Sequence, residues 1–288
     1  MYRCCNFRRF LKLLCIDAFV FVSLYLVAGT SGCMKNDADA GNAAAVRMPI
    51  IMYHSITEHP SERYIVSPQE LENDLSWLAR NGYRSVLAEE LADYVSGNAE
   101  LPEKPVMITF DDGFYNNLYY ALPLLEKYDM SAVISVVGSY TAGVAPQDVH
   151  NPSYAYLIWE DIKKLLDTGR IEIGNHTYNM HTNAVRKGCM RKSGESEEQY
   201  ASALTGDVGL LQSLLYEKTG RCPVTFAYPF GYISKESVPV LRELGFAVTL
   251  SCYEGINVIT DDPECLYGLK RFNREGTVST EEFMRKLG

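Results

Sequence analysis

Positive charge is in short supply along this chain: 27 Lys and Arg stand against 36 Asp and Glu, a formal net charge of −9 over 288 residues. That excludes the basic footprint of a nucleic-acid binder and gives no reason to expect an anionic polymer as substrate. A neutral partner such as a sugar polymer remains permitted. Histidine is scarce, with five in all and none after His181. No internal repeat is visible, and the body of the chain contains no Cys-x-x-Cys pair. What is abundant is apolar: 47% of residues are hydrophobic and 22% charged, enough for one substantial core at a length that fits a single α/β barrel.

Residues 1–33 read as a signal peptide or membrane anchor. Arg3, Arg8, Arg9 and Lys12 precede an uncharged, mostly apolar run from Ala18 to Gly29, the order of a targeting segment. Asp17 shortens that run below the ~20 residues of a spanning helix, so export is the expectation. Ser31, Gly32 and Cys33 resemble the lipobox of bacterial lipoproteins, with Thr30 where leucine is usual. The resemblance implies lipidation at Cys33 and a tethered or secreted protein of the cell envelope, an uncleaved signal anchor being the alternative. Residues 34–47, rich in Ala, Asp, Asn and Gly, read as a tether, and 48–288 as the folded domain. Cys189, Cys222, Cys252 and Cys265 in that domain allow three disulfide pairings, with buried thiols as the other reading.

Within the domain, strand and helix patterns alternate. Pro49 to Tyr53 is an apolar strand ending in His54. Ser67-Pro68 with Glu70 forms a capping box, and Leu71, Leu75 and Leu78 mark the buried stripe of the helix that follows. Val106 to Phe110 is a charge-free strand ending in Asp111-Asp112-Gly113, and Phe114 to Tyr128 continues at helical spacing. Ser131 to Val137, Arg170 to Ile173, Val224 to Tyr228 and Phe246 to Leu250 repeat the pattern, separated by helices that include Glu195 to Lys218. Strands apolar on both faces between helices predict a mostly parallel sheet curled into a distorted (β/α) barrel.

The chemistry gathers at strand ends. Asp111 and Asp112 fall at a strand-to-helix turn, where neighbouring carboxylates can point in different directions, one to a metal and the other serving as a base. His176 and His181 are five apart, an offset that would splay them on a continuous helix, so they can converge only through a strand end and its loop. Two neutral imidazoles and one carboxylate make a three-ligand site with open positions, suited to Zn²⁺ or another divalent first-row metal. Tyr154, Tyr156 and Trp159 could stack on sugar rings, but aromatics near a helix start are more often core, and they stay unassigned.

These residues resemble the polysaccharide deacetylases with a NodB homology domain. Thr109-Phe110-Asp111-Asp112-Gly113 looks like their first motif, His176-Thr177 with His181 like their second, and Phe226-Ala227-Tyr228-Pro229-Phe230-Gly231 like their third. The resemblance implies a metal held by Asp112, His176 and His181, Zn²⁺ first with Co²⁺ or Ni²⁺ as alternatives. It implies Asp111 as catalytic base, the Phe230 backbone N–H at the oxyanion, and Tyr228 beside it as an oxyanion or substrate contact. Ala227 occupies the place of the usual early arginine, and the late Leu-x-His motif is missing. The five-residue histidine spacing is similar to that of the branch acting on poly-N-acetylglucosamine, in which the catalytic histidine comes from an N-terminal Tyr-His segment, here Tyr53-His54. Arg271 in Leu269-Lys270-Arg271 would replace the missing arginine, and Asn179 stands where that branch often has aspartate. The expected activity is metal-dependent removal of N-acetyl groups from an N-acetylglucosamine-containing polysaccharide, by a monomer. An O-acetyl esterase on a xylan-like polymer and a weakly catalytic glycan-binding surface protein are the alternatives.

Overall fold

The computed structural model describes residues 45–58 and 63–288. In chain order the strands and helices are β1 (Val46–Met48), β2 (Ile50–Tyr53), β3 (Ser55–Ile56), β4 (Ile65–Val66), α1 (Pro68–Arg80), β5 (Arg84–Ser85), α2 (Ala88–Val95) and β6 (Pro105–Phe110). They continue as α3 (Leu122–Lys127), β7 (Ala132–Val136), α4 (Gly138–Ala142), α5 (Trp159–Asp167), β8 (Ile171–Asn175) and α6 (Glu197–Thr219). The last group is β9 (Thr225–Ala227), α7 (Ser237–Glu243), β10 (Val248–Leu250), β11 (Asn257–Ile259), β12 (Phe272–Asn273) and α8 (Thr280–Met284).

The main sheet runs β10-β9-β8-β7-β6-β2-β12, with β5 added on β6, and its pairings are parallel. It curls into the expected distorted barrel. Its ends are joined by a parallel bridge between Leu250 and Leu269; Ser251 N–H donates to Leu269 O at 2.8 Å and Leu269 N–H to Thr249 O at 2.9 Å. Strand alternation divides the core in two. Ile50, Met107, Val133 and Leu250 face the barrel interior, while Ile51, Tyr53, Ile108 and Phe110 face the helices. Leu71, Leu75 and Leu78 are fully buried on α1, whose capping box is formed by Ser67 and Glu70.

Two local expectations change, and one open alternative is resolved. Val46 and Arg47, read as the end of the tether, belong to β1, which pairs antiparallel with β11. The helix expected across 114–128 is interrupted: Asn117–Ala121 is a π-turn in which Leu122 N–H reaches back to Asn117 O. Pro123 explains the break, because it has no N–H to continue an i→i−4 ladder. No disulfide joins Cys189, Cys222, Cys252 and Cys265, which decides for thiols. The targeting segment and Cys33 lie outside the described residues. Among the described residues, no helix is long and apolar enough to cross a membrane.

Candidate active site

β6 delivers the two aspartates to the C-terminal mouth of the barrel. Asp111 N–H still belongs to the sheet, donating to Tyr53 O at 3.0 Å. Asp112 then adopts a left-handed backbone with φ 72, which costs a non-glycine residue roughly 1–2 kcal/mol. Gly113 follows at φ 74, and a Cβ there would come within 2.9 Å of Val136 Cγ1, so only glycine fits the turn. Asp111 points inward and Asp112 toward the cleft.

β8 supplies the histidines. His176 N–H donates to Val136 O at 3.0 Å, and Nδ1 lies 2.8 Å from Ala227 O. A carbonyl can only accept, so Nδ1 carries the proton and Nε2 keeps a free lone pair. Thr177 is left-handed at φ 74, and the chain then wraps the carboxylate of Asp207 on α6, which accepts from Tyr178 N–H at 2.8 Å and Asn179 N–H at 2.9 Å. That wrapped turn makes five-residue spacing workable by swinging His181 back beside His176. Tyr140 Oη lies 3.0 Å from His181 Nδ1, and the Phe230 ring packs on the imidazole with centroids 4.5 Å apart.

Asp112, His176 and His181 each offer one ligand atom within 4.8 Å of the others. Asp112 Oδ1 lies 3.2 Å from His181 Nε2 and 3.6 Å from His176 Nε2, yet this buried oxygen accepts no hydrogen bond. A buried carboxylate oxygen facing two imidazole nitrogens without a proton geometry between them fits a shared cation. Burial pushes Asp112 up, but His181, His54 and His176 around it hold its carboxyl below the usual range. Burial lowers His176, which keeps it neutral, as a ligand must be.

Arg271 lies against Asp111. Its Nη1 and Nη2 donate to the two carboxylate oxygens at 2.8 Å each, and Nε donates to Ser251 O at 2.7 Å. Both side chains are fully buried. Burial opposes charge on Asp111, but the guanidinium outweighs it and holds the carboxyl well below its usual range; the pair is bidentate and ionised. His54 enters the same cleft from the end of β2. Its carbonyl accepts from Asn117 Nδ2 at 2.9 Å, and the next residues are pinned by Asn116, so the π-turn fixes the His54 backbone. Burial lowers the His54 imidazole, with Asp111 and Asp112 opposing, and its buried Nδ1 has no partner within the protein.

One candidate is misplaced. Tyr228 does not face the cleft: its ring is buried with Phe226 and Phe246 toward α6 and α7, and its hydroxyl bonds Ser237 Oγ at 2.6 Å. Alternation along β9 explains this, since Ala227 points inward and its neighbours outward. Phe230 does line the cleft, 42% exposed and left-handed at φ 58. His150 lies outside it, its Nε2 3.0 Å from Asp161 Oδ1. The cleft, about 770 Å³, gathers His54, Asp111, Asp112, His176 and His181, and Tyr154 and Tyr156 line it too, whereas Trp159 packs on the core. Sequence reasoning missed Tyr140 and Asp207. A single tyrosine or aspartate that touches a histidine loop across 41 or 29 positions leaves no spacing to read.

The profile of the family described as Polysaccharide deacetylase matches residues 98–249, a span containing the aspartates and both histidines but neither His54 nor Arg271. The chain is 27% identical over 226 residues to YxkH of Bacillus subtilis (strain 168), covering 78% of this chain and 70% of that one. It is 23% identical over 228 residues to the poly-β-1,6-N-acetyl-D-glucosamine N-deacetylase of Escherichia coli (strain K12), covering 72% of this chain but only 34% of that relative's length. The fold superposes on IcaB from Ammonifex degensii with a TM-score of 0.68 at 26% identity, over 84% of this chain and 95% of that one. With more than half its length matched and the motif residues converging on one cleft, this chain belongs to the polysaccharide deacetylase family.

Proposed function

We propose that this protein hydrolyses N-acetyl groups on an N-acetylglucosamine-containing polysaccharide, using a divalent cation held by Asp112, His176 and His181. The observation that carries the reading is the juxtaposition of that three-ligand cluster with an arginine-clamped carboxylate, Asp111, and a half-buried imidazole, His54, in one cleft. The Escherichia coli relative, named for the same bond in a β-1,6-linked polymer, supports the choice of substrate. Zn²⁺ suits two imidazoles and a carboxylate, with Co²⁺ or Ni²⁺ as substitutes. When bound, such an ion polarises the acetyl carbonyl and brings the acidity of water to a pKa of about 7.

The chain's own residues supply the rest. Asp111, kept ionised by Arg271, takes the proton of the attacking water. The backbone N–H of Phe230 faces the carbonyl oxygen as it gains charge, a contribution worth roughly 3 kcal/mol. His54 hands a proton to the departing nitrogen; its lowered pKa makes its imidazolium a readier donor but a rarer one at neutral pH. Export, with a lipid on Cys33 tethering a monomer to the envelope, completes the proposal.

The test is acetate release from N-acetylglucosamine oligomers and from acetylated xylan, with and without chelator. The expected result is release from the oligomer, abolished by chelation and restored by Zn²⁺, with the His181→Ala protein failing to retain metal. Release from xylan alone, or full activity in chelator, overturns the reading.

A further inference from the structure

Five non-glycine residues among the described ones have a left-handed backbone: Asp112, Asp129, His150, Thr177 and Phe230. Thr177, at φ 74, is the one with a branched Cβ, and for such a side chain the conformation is a true outlier rather than a common turn. It is also fully buried, and its hydroxyl finds no partner within the protein. A residue that carries two costs at once persists only where its surroundings over-determine it, and such residues gather at working sites. Thr177 stands directly after His176 and before His181, so its backbone decides the direction in which the chain leaves one histidine and where it delivers the other.

The turn is held from two sides. On one, α4 starts against it: Gly138 N–H donates to Thr177 O at 3.0 Å and Ser139 N–H to Tyr178 O at 2.7 Å. A Cβ on Gly138 would come within 2.5 Å of Tyr178 Cδ2, so this approach needs glycine. On the other side stands α6. Asn175 Oδ1 accepts from Thr177 N–H at 2.9 Å, while its amide nitrogen donates to Val208 O at 3.1 Å. The neighbouring Asp207 takes the next two N–H groups, Tyr178 on Oδ1 and Asn179 on Oδ2. Of these partners only Asp207 is charged, and bonds to an ionised acceptor are roughly twice as strong as neutral ones. Asp207 also reaches furthest toward His181, as far as Asn179.

We propose that Asp207 is a positioning residue for the metal cluster: it latches Thr177 in a backbone conformation that threonine would otherwise leave, and so keeps His181 Nε2 beside Asp112 and His176. This rests on the metal reading given above. Without the latch, Thr177 relaxes to a right-handed or extended backbone, the peptide it shares with Tyr178 turns, and His181 swings out of the cluster. Binding an ion must then supply the work of bringing it back, so the strain appears as weaker metal binding rather than as a looser fold. Glycine populates the left-handed region about as readily as the right-handed one, so Thr177→Gly removes most of the need for the latch.

Zn²⁺ affinity is measured by competition with a chelating dye for wild type, Asp207→Ala and Asp207→Asn, each with and without Thr177→Gly, and Tm is recorded on the metal-free proteins. Asp207→Ala is expected to bind Zn²⁺ roughly tenfold or more weakly. Asp207→Asn, which keeps one accepting oxygen but turns an amide N–H on the second donor, is expected to lose less. Adding Thr177→Gly to Asp207→Ala is expected to tighten binding about fivefold or more, and adding it to Asp207→Asn to move affinity the same way. An aspartate that only stabilises the fold would instead lower Tm at unchanged affinity, and the added glycine would lower Tm further. Wild-type affinity in Asp207→Ala, or in Asp207→Asn should the alanine variant not fold, overturns the proposal, as does a double variant that binds no more tightly than its single parent. A wild type that binds no Zn²⁺ overturns the metal reading, and this proposal with it.

Discussion

Among single residues, His181 depends most on side chains that sequence pattern does not reveal. For its Nε2 to face Asp112 as a ligand, Nδ1 must carry the proton and Tyr140 Oη must accept it. Tyr140→Phe removes that acceptor while leaving the ring packed on Tyr156. Metal affinity, measured by competition with a chelating dye, is expected to fall about tenfold; unchanged affinity would show that Phe230 packing alone positions His181. Asp111→Asn tests the other half of the site. The neutral amide cannot accept the water's proton, so turnover collapses while metal content stays near wild type; loss of metal in this variant but not in Asp112→Asn would reverse the two roles. The aspartate pair and both histidines were legible because a charged doublet after an apolar strand, and two of five histidines at another strand end, are patterns. Tyr228 was misread because a motif names neighbours without saying which face each takes. Tyr140 and Asp207 were illegible because each matters through contacts far away in sequence.

At the scale of elements, α1 shows both sides of what a sequence discloses. Its capping box and leucine stripe were readable from local spacing. Asp74, between those leucines, would pass for a solvated charge, yet it is fully buried. It accepts from Tyr53 Oη at 2.9 Å, from Arg274 Nε at 2.7 Å and from the Thr280 hydroxyl at 2.6 Å. Burial raises its carboxyl, and Arg274 is the main opposing influence. This cluster joins β2, α1 and the segment leading to α8 through a contact spanning 200 positions, a range at which no periodicity operates. Arg274→Met leaves a buried carboxylate without its counter-charge. Urea unfolding is expected to show a loss of about 3–5 kcal/mol, much of it recovered when Asp74→Leu is added. A loss below about 1 kcal/mol would mean that the cluster stabilises little.

For the whole molecule, the end of the barrel opposite the cleft sets a pH dependence. Glu172 points inward beneath the sheet, accepting from Thr225 Oγ1 and from Glu89 N–H at the start of α2. Burial pushes its carboxyl up from near 4.5 to about 7 despite those bonds. A raised folded-state value means that its contribution to stability is complete below pH 4.5 and is lost as pH rises to about 7. Relative to Glu172→Gln, which does not titrate, wild type is expected to lose up to about 3 kcal/mol of unfolding free energy across that window. A difference that does not change with pH would refute the assignment. The strand-helix alternation made the barrel itself legible, but not how it shuts. Closure depends on Leu269 to Asn273, which bonds β10 on one side and β2 on the other and is made after both of them. A nascent or cut chain that stops short of Leu269 holds both aspartates and both histidines but exposes two bare strand edges, the geometry that recruits strands from other molecules. Copies lacking this segment are therefore expected to aggregate and be cleared rather than persist as feeble enzymes, so the supply of active protein depends on making the piece that shuts the sheet.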